Sequence, residues 1–297
     1  TQNEVVKEEK RQRYDAPYGK LLKVLNENLF KVHPYKDQNI GKMEHLDAAT
    51  LEEFMAYHKT YYGPNNAVLI VAGDIDTEET IELVKKYFDE VPRGNEVVRN
   101  FPKEEPITEN IRAKAYDKNI QIPMLLSSFR TPGFASRDSY VLDMISTYLS
   151  SGKSSVLYKK LVDDQKQALQ TQVINLGQVD YNIFAILALP LGDISLDILL
   201  TEIEEEIEKV QNELISERDH QKLLNKFESQ FVNSNSSIAG IANSLARYYL
   251  LYGDVNLINK EIDIYRSITR EEIRSVAQKY LSSNQRVDIE YLPETGE

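Results

Sequence analysis

The sequence predicts an α+β protein of two tandem homologous domains, the first of them incomplete, each a mostly antiparallel sheet with helices packed on one face. Three observations carry this. There is a long-period internal repeat, there are apolar runs of strand length that occur in groups, and helical patterns gather between those groups instead of alternating strictly with them. With 297 residues, 41% of them hydrophobic, the chain is longer than one ordinary domain requires.

The repeat is the most informative of the three. Thr50-Leu-Glu-Glu-Phe runs on to Tyr61 and the strand-like Ala67-Val-Leu-Ile-Val-Ala72; Thr269-Arg-Glu-Glu-Ile runs on to Tyr280 and Arg286-Val-Asp-Ile-Glu-Tyr291. Thr269 lies 219 residues after Thr50, and the two stretches align without a gap. A period this long indicates two related domains in tandem, not a stacked array. The second copy resumes strand-like sequence near residue 112, after the Pro- and Glu-rich Phe101-Pro-Lys-Glu-Glu-Pro106. The same offset places the start of the first copy roughly 105 residues ahead of Thr1. Residues 1–104 therefore read as the C-terminal part of a first domain and 105–297 as a second.

Element by element, 2–32 reads as helix, interrupted at Ala16-Pro17-Tyr18-Gly19 because proline disfavours helical geometry in the residue before it. A loop through Pro34 leads to the helix opened by Thr50, with Glu53 at capping-box spacing. Gly63-Pro64-Asn65-Asn66 is turn chemistry, followed by the strand at 67–72. Asp76 caps a helix over 78–88 with Ile81, Val84 and Phe88 on one face. In the second copy, strands are expected near 120–129, 169–174, 183–189 and 286–291. Helices are expected from Ser136, over 196–213, 217–232 and 238–251, and from Thr269.

A net charge of −12 repels phosphate backbones and anionic lipid surfaces, so neither nucleic acid nor a membrane surface is an expected partner. The absence of cysteine excludes disulfides, thiol nucleophiles and Cys-ligated zinc, and leaves cytoplasm and periplasm equally open. No apolar run approaches the ~20 residues of a membrane span, and membrane insertion is not expected.

The four histidines, His33, His45, His58 and His220, form neither a His-Glu-x-x-His nor a His-x-x-Glu-His pattern, and read as surface or loop residues. No catalytic residue is assigned. The segment Asn3-Glu-Val-Val-Lys-Glu-Glu-Lys-Arg-Gln-Arg13 reads as a charged helix with Glu4 and Glu8 on one face, which on its own is a solvated surface. Leu149-Ser-Ser-Gly-Lys-Ser-Ser155 lacks the first glycine of a phosphate loop, having Thr147 there. The acidic run 202–208 carries Ile203 and Ile207 at helical spacing and reads as an amphipathic helix, not a cation site. Arg247-Tyr248-Tyr249 reads as aromatic packing at a helix end.

That first segment, with Tyr14-Asp15, Pro17-Tyr18-Gly19, His33-Pro34-Tyr35, Gly41, Tyr61-Tyr62-Gly63-Pro64-Asn65-Asn66 and Val71-Ala-Gly-Asp74, resembles the bacterial pitrilysin/insulinase-type zinc metallopeptidases over nearly the whole chain. The resemblance implies an inverted motif, His-x-x-Glu-His, that supplies two zinc ligands and a general base, with a further glutamate roughly 75 residues downstream as third ligand. That glutamate stands in a Val-Val-x-Glu-Glu segment and carries over to Glu8, which makes 1–104 part of the metal-site domain. The motif itself would fall ahead of Thr1, within the stretch the repeat calls for. Through the 219 offset Glu8 corresponds to Phe227, and the motif to the region of 144–150, which has neither His nor Glu, so the second domain is expected to be non-catalytic. The implied activity is zinc-dependent cleavage of peptides or unfolded polypeptides by a homo- or heterodimeric clamshell, with this chain inactive alone. The alternative is a non-catalytic partner or structural subunit of such a dimer.

Overall fold

The computed structural model describes residues 2–294. Its helices are α1 (Gln2–Asp15), α2 (Leu21–Leu29), α3 (Met43–Ala48), α4 (Leu51–Tyr61) and α5 (Thr77–Phe88), followed by strands β1 (Ile111–Asp117) and β2 (Met124–Pro132). Next come α6 (Arg137–Ser150), β3 (Ala168–Leu176), β4 (Tyr181–Pro190), α7 (Leu196–Asn212), α8 (Glu217–Ser234), α9 (Ile238–Arg247), α10 (Leu257–Arg266), α11 (Arg270–Tyr280) and β5 (Arg286–Pro293). The helix starts follow local chemistry. Thr50 closes a full capping box with Glu53, Asp76 accepts from the Glu79 N–H, and Ser136, Ser195 and Ser237 cap α6, α7 and α9.

The described residues divide into two compact units. The first comprises the chain up to Gly41, Pro102–Asn225 and everything from Ile264 onward. It is built on one five-stranded sheet in the order β1-β5-β2-β4-β3, in which β1 pairs parallel with β5 and the other pairs are antiparallel. Side chains alternate across it. Leu126, Ile183, Ala185, Val287 and Ile289 face Leu25, Leu29 and Phe30 at the end of α2. The intervening residues face α6, α7 and α11: Asn182 bonds Ser139, Asn175 bonds Asp143, and Arg286 reaches Glu204. Three helices of the second copy thus gather on one face as expected, while a helix from the first copy covers the other. Each buried leucine, isoleucine or phenylalanine contributes about 1.5–3 kcal/mol.

A carboxylate holds α2 in place. Glu104 accepts hydrogen bonds from the backbone N–H groups of Lys31, Val32 and His33 at 2.8, 2.8 and 2.7 Å, and pairs at 3.1 Å with Arg130, whose guanidinium also donates to the Leu29 carbonyl at 2.7 Å. Both side chains are buried. The Glu104 N–H in turn donates to the Tyr181 hydroxyl at 2.9 Å. Burial alone would raise the Glu104 pKa, but the three N–H donors and the nearby guanidinium outweigh it and hold the carboxyl below its ordinary value.

Here one expectation fails. His33 is not a surface residue: it is 2% exposed, with its ring among Phe30, Tyr35 and Tyr181, its Nδ1 accepting from the Tyr35 N–H at 3.2 Å and its Nε2 3.3 Å from Asp180. A lone histidine between Val32 and Pro34 gives no sign in the sequence that a distant strand will roof it.

The second unit comprises Lys42–Phe101 and Lys226–Asp263. Asn65 organises its turn, accepting from the Gly94 N–H at 2.7 Å and donating to the Asn95 carbonyl at 3.1 Å. Gly63 and Gly94 meet there so closely that a Cβ on Gly63 would lie 3.0 Å from the Gly94 Cα, which explains a glycine at that place in the sequence. Tyr248 is buried and donates to Glu261 at 2.6 Å.

The repeat is visible atom for atom in backbone angles. Thr50 (φ −93, ψ 162) matches Thr269 (φ −95, ψ 164), and the helix-ending Tyr62 (φ −103, ψ 29) matches Leu281 (φ −106, ψ 27). The short 3-10 turns Pro64–Asn66 and Ser283–Gln285 follow at the same offset. The strand expected at 67–72 departs from this symmetry: it is extended at Ala67 but takes part in no ladder among the described residues. A strand needs a neighbour, and β5, its counterpart, has two.

Replacing Glu104 by alanine leaves Arg130 buried without its counter-charge and is expected to lower the unfolding free energy by about 3–5 kcal/mol, measured by denaturant titration. Because the folded pKa of Glu104 is depressed, its contribution is complete above the unfolded value of about 4.3 and is lost as pH falls through the folded value. Glu104→Gln is expected to flatten that acid limb of the stability curve.

Candidate metal-ligand site

Glu8 lies on α1, a helix whose buried side chains are Lys7 and Lys10 and not apolar residues. Lys10 reaches the Gly41 carbonyl and lies over the Tyr14 ring, 4.7 Å from its centre. Lys7 pairs with Glu4 at 2.8 Å. Glu8 itself is about half exposed and, among the described residues, is held by its own helix, accepting from Arg11 at 3.1 Å and Gln12 at 3.4 Å. Pairs of this spacing are worth only about 0.2–0.5 kcal/mol each, so the carboxylate is free to exchange them for a stronger partner.

No group of three or more His, Asp or Glu side chains converges to hold a metal among the described residues. A zinc ion needs at least three protein ligands. The residues present therefore do not make a zinc site by themselves, and Glu8 offers at most one ligand. The histidines are dispersed: His33 is enclosed as described, His58 stacks on Tyr62, His220 meets the Ile268 carbonyl through Nε2 at 2.9 Å, and His45 is exposed.

The second copy has nothing at the corresponding places. Phe227 stands on α8 where the first copy has Glu8, and 144–150 of α6 is largely apolar, with Met144, Ile145 and Leu149 buried. The Gly- and Ser-rich turn after α6 uses Gly152 at φ 83, and the Ser155 N–H and hydroxyl both donate to the Gly152 carbonyl. Both donors of Ser155 are thus used within the turn. The acidic face of α7 is bridged by Lys160, which pairs with Glu202, Glu205 and Glu206 at 2.8, 2.8 and 3.0 Å. That ring of carboxylates is structural.

Residues 48–227, more than half of the chain, match the family model described as the peptidase M16 inactive domain. The chain belongs to this family. It is 27% identical over 291 residues to the Helicobacter pylori zinc protease PqqE, an alignment that covers 97% of this chain and 65% of that protein. It is 23% identical over 270 residues to a probable mitochondrial-processing peptidase subunit beta of Arabidopsis thaliana, covering 88% of this chain and 50% of that one. The crystal structure of a protease from Helicobacter pylori superimposes with a TM-score of 0.89 at 26% identity, covering 97% of this chain and 70% of the other. The chain thus spans two thirds or less of the curated relatives it matches. The M16 fold is α+β, as expected, and relatives are named zinc proteases, which places zinc in the family while the described residues hold no complete site for it. No helix among the described residues is long and apolar enough to cross a membrane.

If Glu8 has no structural duty, Glu8→Ala should change the stability of this chain by no more than about 0.5 kcal/mol in a denaturant titration. A larger loss would mean that the carboxylate supports the fold.

Proposed function

We propose that this chain is the larger C-terminal part of a zinc-dependent endopeptidase subunit acting on peptides or unfolded polypeptides, inert by itself, with Glu8 as the one metal ligand it contributes. The observation that carries the reading is the asymmetry between the copies. An acidic side chain without a tertiary partner among the described residues stands at position 8, whereas its repeat counterpart is Phe227 on a helix of the same kind. The position of Glu8 in a Val-Val-x-Glu-Glu segment and the zinc proteases among the relatives support it. The division at about residue 104 into a metal-site domain and a non-catalytic one belongs to the same proposal, as does a dimer enclosing the substrate, which the subunit beta relative supports.

The test is metal analysis of the protein carrying the residues its gene encodes ahead of Thr1, beside its Glu8→Gln variant. About one zinc per chain, lost or strongly weakened in the variant, is expected. A longer protein without zinc would leave the non-catalytic partner subunit as the better reading. The 297-residue chain alone is expected to show no zinc-dependent cleavage of a denatured polypeptide, and cleavage by it would overturn the proposal.

A further inference from the structure

The five strands do not end together. On one side β2 keeps β4 beside it as far as Pro132; on the other, its pairing with β5 stops where Phe129 meets Arg286. Ahead of Arg286 the chain turns off through the 3-10 turn Ser283–Gln285. Among the described residues, Arg130, Thr131 and Pro132 therefore have a strand on one side only, and the sheet has a notch in line with β5. The notch opens as a cavity of about 510 Å3. Pro106 and Ile107 of the linker, Pro132 and Tyr181 of the strands, and Tyr280 and Gln285 beyond them form its walls, and every lining residue belongs to the first unit. Arg130 and Tyr181 stand on the face that carries α2, Thr131 and Tyr280 on the face that carries α6, so the space passes through the plane of the sheet. Its size suits a small ligand, and its place in a sheet suits extended polypeptide.

The hydrogen-bonding groups still to be used there are donors. Both carboxylates on the wall are engaged: Glu104 holds three N–H groups and Arg130, while Asp180 lies 3.4 Å from the Tyr35 hydroxyl and 3.3 Å from His33 Nε2. The Tyr181 hydroxyl accepts the Glu104 N–H at 2.9 Å and has its own O–H to give. The Gln285 amide makes no hydrogen bond among the described residues, and Thr131, 2% exposed, has a hydroxyl with no partner among them. The exposed Lys279 stands at the mouth, holding Asp138 at 2.7 Å with further N–H groups to offer. Donors with a cation at the rim select a carboxylate, and the rings and prolines select an apolar neighbour to it. We propose that the notch binds the C-terminal end of an extended peptide, about three residues long, with its α-carboxylate at Gln285 and Lys279 and its last side chain between Tyr181 and Tyr280. The peptide then runs in the direction of β5, antiparallel to β2. The choice of a peptide among carboxylates rests on the peptidase reading above; the notch and its donors do not.

The test is calorimetric titration of the 297-residue chain, with a chelator present, by N-acetyl-Ala-Ala-Phe and by the same peptide ending in a carboxamide. The carboxamide is expected to bind about 10-fold more weakly or worse, as the loss of a charge-assisted hydrogen bond dictates. Gln285→Leu should weaken the acid by about 5-fold with an unchanged unfolding midpoint, and Ile107→Trp, which fills the notch, should abolish binding. 3-Phenylpropionate, a carboxylate without the peptide, should bind about 10-fold more weakly than the tripeptide. No heat of binding at millimolar peptide would overturn the proposal, as would equal affinity for acid and carboxamide or binding indifferent to both variants. Equal affinity for 3-phenylpropionate would make a small carboxylic acid the occupant and overturn the peptide. Binding that disappears when the chain carries the residues its gene encodes ahead of Thr1 would do the same, since that polypeptide would then fill the notch. None of these outcomes alters the zinc content of the longer protein, so the functional reading is judged separately.

Discussion

The architecture of the sheet-bearing unit depends on one buried carboxylate. Glu104 sits in a Pro- and Glu-rich segment whose composition reads as linker, yet its side chain binds three successive backbone N–H groups and an arginine from β2. The three N–H groups belong to residues just beyond α2, where chain that has left its helix has no partners of its own. By gathering them, Glu104 fixes the exit of α2 against the sheet, and Arg130 ties the same point to the Leu29 carbonyl. Leu25, Leu29 and Phe30 are thereby kept over the strands. Without that cover, a sheet whose opposite face already carries three helices would present Leu126, Ile183 and Val287 to water. The buried charges are tolerable because each is paired and hydrogen-bonded, the condition under which a low-dielectric site holds an ion.

The repeat separates local from tertiary causes with unusual directness. Thr50 and Thr269, with glutamate three residues on, set the same helix start to within a few degrees, and the turns that follow begin and end at equivalent residues. Capping and turn chemistry suffice for that. Whether the next six residues become a strand is decided elsewhere. Val68 and Ile70 have the residue types of Val287 and Ile289 and no ladder, because strand formation is a property of a pair.

What could be read in advance follows the same division. The caps at Thr50, Asp76, Ser136 and Thr269, the break at Pro17, and the apolar runs that became β2, β3, β4 and β5 are legible because each is written within a few neighbouring residues. The enclosure of His33, the latch at Glu104 and the bridging of α7 by Lys160 are not, since their partners lie tens of residues away or more. Helices α3 and α10 likewise have no counterpart among the expected helices. Glu8 was singled out by resemblance to a family segment. In charge pattern it is indistinguishable from Glu9, which pairs with Arg13 in the same manner.

The strand order has a consequence for synthesis. β5, the last of the five strands to be made, occupies a place between β1 and β2, and β1 has no other neighbour among the described residues. As the chain emerges, β2, β4 and β3 can form their antiparallel group from nearby sequence, but β1 must wait some 170 residues for the strand that receives it. Its apolar positions stay unprotected throughout that interval. The sheet closes only when β5 has left the ribosome, so a chain stalled or clipped before Arg286 would lack β5 and leave β1 without a ladder, a state prone to association.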